Sequence, residues 1–219
     1  MLKKIYQKLR LWISQKDEKG EASSGFLPPR VRRAALALID SSANNILEIG
    51  CGEGLFLFWA AEKFPGAKIT GLEGLDIILE AAKRKLEQKG IKNTKLVLGQ
   101  AEKLDFFDGA FDKVLCLNML YNLASREIAE QVIKEMARVV DKNGSIIFDI
   151  RNKSNLLVRF AYKNAKLYDQ KHRGSLNAYT LADVRGLLKQ SGLEIKNIIP
   201  VGKLLGIFPL AYVIEAEKI

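Results

Sequence analysis

One histidine, two cysteines and five prolines in 219 residues leave little room for several kinds of chemistry. Cys51 and Cys116 are far apart, with no CxxC or Cys/His spacing around them, so neither a disulfide framework nor a zinc site is indicated, and no metal is expected. Unpaired thiols suit a reducing compartment, and the cytoplasm is the expected location. No run of 18 uncharged apolar residues occurs, and lysines interrupt the apolar positions at the N-terminus, so neither a membrane span nor an export signal is expected. Internal repeats and low-complexity tracts are also missing. With 48% hydrophobic and 27% charged residues, the composition is that of a globular domain with one core.

Charge is plentiful, and its distribution is uneven. Residues 1–33 hold nine Lys/Arg against three Asp/Glu, and residues 151–190 hold nine against two. The intervening residues 34–150 hold 14 against 17, so the net charge of +10 comes from two segments flanking a slightly acidic centre. The first segment opens with LKKIYQKLRLWIS (2–14), where Leu2, Ile5, Tyr6, Leu9, Trp12 and Ile13 follow helical spacing and the cations lie largely opposite. This pattern predicts a basic amphipathic helix, followed by a polar Gly/Ser linker at 17–25. Residues 1–33 are thus expected to be an extension and 34–219 the folded domain.

Within that domain short apolar runs alternate with longer helical patterns. Strands are expected at 46–49, 68–72, 95–98, 111–117 and 145–150, with helices at 55–64, 76–88 and 125–140, the last stopped by Asn143–Gly144. Thr180 is placed to cap a helix over 181–191. Strands at 194–199 and 210–217 follow with no crossover between them and should pair antiparallel. The expected fold is α/β: a Rossmann-like, seven-stranded, mostly parallel sheet whose last strand is antiparallel, with helices on both faces.

The stretch NNILEIGCGEGL (44–55) ends the first strand and opens the next helix. Glycines in such a turn let the backbone approach a ligand, and the N–H groups of the following helix favour anionic or polar oxygens. The dinucleotide pattern GxGxxG would need a small residue at 55, where Leu55 stands. ExGxGxG instead resembles the first motif of the class I S-adenosylmethionine-dependent methyltransferases, of the small-molecule type called methyltransferase-11/25. Four further stretches resemble that family in order: Glu73 at the end of the second strand with the helix after it, the loop Gly99–Glu102, Phe111–Asp112, and NMLYNL (118–123) after strand four. The resemblance covers about residues 34–219.

That likeness implies S-adenosylmethionine as methyl donor and S-adenosylhomocysteine as product. It places Glu48, Gly50, Cys51, Gly52 and Gly54 in the turn around the cofactor, and Asn118 beside its methionine part. Glu73 and Gly74 fall at the ribose, since one carboxylate can accept from both hydroxyls, and Gln100, Ala101 and Glu102 at the adenine. Two positions depart from the family's usual residues: Gln100 where Asp is common, and Leu75 where a hydroxyl side chain is. The two cysteines read as small buried residues.

A bound sulfonium carries an already activated methyl group, so alignment and exclusion of water are the protein's main tasks, and a base is needed only for a protonated acceptor of high pKa. Tyr121 and His172 are the candidate catalytic residues, and Asp149 and Arg151 at the end of strand five are further candidates. The loop GKLLGIFP (202–209) adds Leu204, Leu205, Ile207 and Phe208 to the two basic segments around the acceptor mouth. The expected acceptor is a small molecule, apolar or amphiphilic, lipid-linked or anionic. Residues 2–14 would then rest peripherally on the inner membrane surface. An RNA methyltransferase using the same cations on phosphates is the alternative, weakened by the lack of aromatic stacking platforms. A non-enzymatic binding protein is a third reading, disfavoured by the intact cofactor motifs.

Overall fold

The structure, a computed structural model, describes residues 27–163, 177–203 and 208–219. The helix expected at 2–14, His172, Leu204, Leu205 and Ile207 lie outside the described residues. The elements in chain order are α1 (Leu27–Leu38), β1 (Asn45–Ile49), α2 (Leu55–Lys63), β2 (Lys68–Glu73), α3 (Asp76–Gln88), β3 (Thr94–Leu98), β4 (Phe111–Cys116), a 3-10 turn (Leu120–Asn122), α4 (Arg126–Val139), β5 (Val140–Arg151), α5 (Leu156–Lys163), α6 (Leu181–Gln190), β6 (Leu193–Val201) and β7 (Ala211–Lys218).

Seven strands form one sheet in the order β3-β2-β1-β4-β5-β7-β6. β1 to β5 run parallel, and β7 lies antiparallel to both β5 and β6. The central strands are apolar on both faces because both faces are covered. Leu47, Ile49, Val114, Ile146 and Phe148 point into a core shared with α4 and α6. Ile46, Leu115, Ile147 and Val213 point into a second core shared with α1 and α2. Pro28 and Pro29 stand in the first turn of α1, where a missing N–H costs nothing. Thr180 caps α6 in a reciprocal box with Asp183. From β1 the chain winds outward to β2 and β3, then returns to place β4 on the other side of β1. Strand order therefore reverses between β1 and β4, the position at which sheets of this kind open a crevice at their carboxyl ends.

One boundary differs from its expectation. α4 ends at Val139, and β5 starts at once at Val140 and runs for 12 residues. Val140 pairs with Phe111, and the register shifts before Lys113 pairs with Ser145. Gly144 belongs to this strand rather than to a helix stop. A Cβ there would lie 2.5 Å from the Asp112 carbonyl oxygen, so the glycine serves a close approach of β5 to β4.

The opposite end of the sheet from the crevice is held by charge. Asp112 accepts the N–H groups of Asn44 and Asn45 at 2.7 and 2.8 Å and so fixes the entry to β1. Next to it the buried Lys113 ammonium donates to Ser145 Oγ (2.8 Å) and lies 3.1 Å from Asp40 and 3.3 Å from the buried Glu215. Burial would raise the Glu215 carboxyl, but hydrogen bonds from Asn197 and Ser145, with Lys113, outweigh it and hold Glu215 below the usual range. A depressed folded-state pKa gives stability that is present above the unfolded value and disappears as pH falls through the folded one. Lys113→Ala should therefore cost about 3 kcal/mol in urea unfolding, because it strands a buried carboxylate. Adding Glu215→Gln should recover part of that loss and flatten the fall in stability toward acid pH. Equal slopes for Glu215→Gln and the parent chain would remove Glu215 from this account.

Candidate functional site

At the crevice the three glycines of the turn all take positive φ: 70° at Gly50, 55° at Gly52 and 80° at Gly54. The first is also forced by contact, since a Cβ on Gly50 would sit 2.4 Å from Met119 Sδ in the loop after β4. At Gly52 such a Cβ would meet nothing within 4 Å. The turn is tied to β2 by three N–H groups in succession. Gly50 and Cys51 donate to the Leu72 carbonyl at 2.8 and 3.0 Å, and Gly52 donates to Glu73 Oε2 at 3.0 Å. Glu73 Oε1 accepts from Gly74 and Leu75 at 2.9 and 3.1 Å, just ahead of α3.

The cleft beside this turn has a volume of about 550 Å³ and is walled by Glu48, Gly50 to Gly52, Asn118 and Tyr121, with Arg32 and Pro28 reaching in from α1. That size lies within the small-molecule range of roughly 300–1,000 Å³. Glu48 is buried, and its Oε2 has no hydrogen-bond partner in the protein. Burial pushes its carboxyl well above the usual range, with Arg32 opposing and Glu73 adding to the rise. The same burial, with these two carboxylates, pushes up the Cys51 thiol, and Cys116 is raised likewise, so neither is poised as a nucleophile.

Asn118, expected from sequence, is the one described non-glycine residue with positive φ, at 57°. Its N–H donates to the fully buried Asp149, and its Oδ1 accepts from Arg151 Nη2 at 3.1 Å. Arg151 is ion-paired to Asp149 and stacks on the Tyr121 ring with its Cζ 4.0 Å from the centroid. Burial raises the Asp149 carboxyl against the pull of Arg151. The burial of Arg151 is outweighed in turn by Asp149, and its guanidinium stays charged. Both side chains reach the cleft through Asn118 and Tyr121, which line it.

Glu73, Gly74 and the Gln100–Glu102 loop lie outside the cleft wall. Glu73 joins it through Gly52, and the Gln100 amide lies over Gly74, with Oε1 3.5 Å from where a Cβ would stand. Ala101 packs on the core, and the Glu102 carbonyl accepts from Gln131 at 3.4 Å. Leu75 is exposed at the start of α3. Arg32 was not expected. Its signal is a cation on the buried face of α1 beside Val31 and Ala35, where its guanidinium also lies 5.6 Å from the Trp59 ring.

Residues 46–144 match the model of a family described as a methyltransferase domain. Over these residues, a little under half of its length, the chain is similar to that family. A demethylmenaquinone methyltransferase of Lactococcus lactis is 33% identical over 109 residues, 49% of this chain and 42% of that protein. A phosphatidylethanolamine N-methyltransferase of Cereibacter sphaeroides is 30% identical over 126 residues, 57% of this chain and 59% of that one. The chain thus spans about half the length of these curated relatives. The crystal structure of an S-adenosylmethionine-dependent methyltransferase from Thermotoga maritima shares the fold, with a TM-score of 0.70, 20% identity and coverage of 99% and 98% of the two chains.

In this chain the two turn glycines separate conformational strain from contact. Gly52→Ala should cost about 1 kcal/mol, from positive φ alone. Gly50→Ala should cost about 2 kcal/mol more than that and displace Met119 in the loop after β4. Gly50→Ala/Met119→Ala should recover the contact part only, as read by thermal unfolding of the three variants. Equal losses for Gly50→Ala and Gly52→Ala would refute the contact.

Proposed function

We propose that this chain transfers a methyl group from S-adenosylmethionine to a small apolar or amphiphilic acceptor at the mouth of the cleft. The observation that carries the reading is the pairing of a buried carboxylate, Glu48, whose Oε2 lacks a protein partner, with a glycine turn clamped to a second carboxylate, Glu73. A cationic, hydroxyl-rich nucleoside suits such a site. Glu48 and the N–H groups of the turn would hold the methionine part, Glu73 the ribose hydroxyls, and Gln100 with Leu75 the adenine, in the order that the family likeness implies. Bound there, the sulfonium supplies an activated methyl group.

The chain's own residues then orient and exclude water. Asn118, locked by Asp149 and Arg151, and Tyr121, held under Arg151, face the cleft after β4 and are placed to position an acceptor. Tyr121 is the described candidate for a proton-accepting group, and His172 is the candidate outside the described residues. The acceptor class rests on the basic segment after β5, on exposed apolar residues near it, and on the names of the two relatives, whose substrates are a demethylmenaquinone and phosphatidylethanolamine. Residues 2–14 add a basic amphipathic segment suited to a membrane surface.

Calorimetry should show micromolar binding of both S-adenosylmethionine and S-adenosylhomocysteine, weakened roughly tenfold or more by Glu73→Ala, which removes the carboxylate's open acceptor site and its hold on the Gly52 N–H. Absence of binding to both would end the reading. With a tritiated methyl donor, label from a cell lysate should enter the organic extract. Label confined to RNA would replace the acceptor class with a nucleic acid and leave the donor assignment standing.

A further inference from the structure

α5 leaves β5 at the crevice end of the sheet, and its faces are unusual for a surface helix. Asn155, Val158 and Tyr162 pack inward, as expected for an i, i+3, i+7 stripe. The outward arc is also apolar: Leu156 is 73% exposed, Leu157 53% and Phe160 64%. Arg159 and Lys163, both exposed, fall between the buried stripe and the apolar arc. Phe208, 64% exposed, stands in the loop before β7, whose backbone is tied to the start of α5 by Asn155 Nδ2 donating to the Phe208 and Pro209 carbonyls at 3.3 Å. Lys153 and Lys203 are exposed on the same two segments, and neither 150–163 nor 201–212 contains an acidic residue.

We infer that Leu156, Leu157 and Phe208, edged by Lys153, Arg159, Lys163 and Lys203, form a docking surface for an anionic lipid bilayer. Charge complementarity selects this occupant. The segment 151–190 carries nine cations against two anions beside an acidic core, and the cations border the apolar arc as they do on helices that lie in a bilayer interface. No described helix is long and apolar enough to cross a membrane, so the contact is peripheral. It rests on side chains other than those of residues 2–14. Docking does not depend on the methyl-transfer reading. That an acceptor would enter the cleft from the bilayer does rest on it.

The test is co-sedimentation of the full chain with vesicles of phosphatidylcholine alone or mixed with phosphatidylglycerol, with S-adenosylhomocysteine binding measured in parallel. The parent chain should sediment with the anionic vesicles and not the neutral ones, and salt should release it. Leu156→Ser/Leu157→Ser/Phe208→Ser should weaken sedimentation by roughly tenfold or more, from apolar area no longer buried. Arg159→Glu/Lys163→Glu should do so by about as much. Both variants should bind S-adenosylhomocysteine as the parent does. Sedimentation unchanged in both variants but lost on deleting residues 1–20 would overturn the inference, assigning the membrane contact to the N-terminal segment alone. Loss of a dimer, read by light scattering, in the triple-serine variant without a change in sedimentation would also overturn it, in favour of a second copy of the chain. Loss of S-adenosylhomocysteine binding in the parent chain with sedimentation intact would strike the donor assignment and leave the docking surface standing.

Discussion

The Leu72 carbonyl and the Glu73 carboxylate between them accept three consecutive N–H groups of the glycine turn, and the cleft takes its shape from that clamp. With the turn fixed to β2, Gly50 is brought against Met119, which sets how closely the loop after β4 can approach. With Glu73 also accepting from Gly74 and Leu75 ahead of α3, the first two strand-to-helix connections are joined through one carboxylate. Glu73 spends three of about four lone-pair sites on its own chain. A ligand that offers two hydroxyls therefore takes one open site and exchanges with a backbone N–H for the other. The net gain from that exchange is small compared with the gain from filling an empty site.

Charge is handled differently at the two ends of the sheet. At the closed end Lys113 sits among Asp40, Ser145 and Glu215, and Asp112 caps the entry to β1, so the polar groups satisfy one another. At the open end the Arg151–Asp149 pair is satisfied too, but its partners are Asn118 and Tyr121, which face the cleft. Glu48 alone among these buried carboxylates keeps an oxygen without a protein partner, and it is the one on the cleft wall. The cleft wall thus differs from the structural ion pairs in holding a buried carboxyl oxygen whose hydrogen bond is left unmade.

Period and punctuation made most of the sheet legible: the strands fall where short apolar runs were expected, and β7 runs antiparallel where no crossover separates it from β6. Alternate glycines ending a buried strand, with an acid after the next one, located the turn and Glu73. Gly144 misled because a glycine after a helical pattern reads as a stop, whereas here it serves a contact with β4, 32 residues earlier, that no local window contains. From sequence, Arg151 is a candidate only by its place at the end of a strand. Its role is set by Asn118 and Tyr121, about thirty residues away, and so is a property of register. The outward apolar arc of α5 was hidden for another reason: eight residues are too few for a helical pattern to stand out, and the cations around it dominated the composition of the segment.

β7 is paired on both sides, to β5 and to β6, so the chain that enters it from Phe208 is held in register before any contact with a partner. Asn152 and Asn155 bind the same stretch from the α5 side, through the carbonyls of Phe208 and Pro209. The ordering entropy of these two segments is thus lost during folding of the domain, and little remains to be lost when something settles on Leu156, Leu157 and Phe208. A surface assembled in this way binds with the area it already shows.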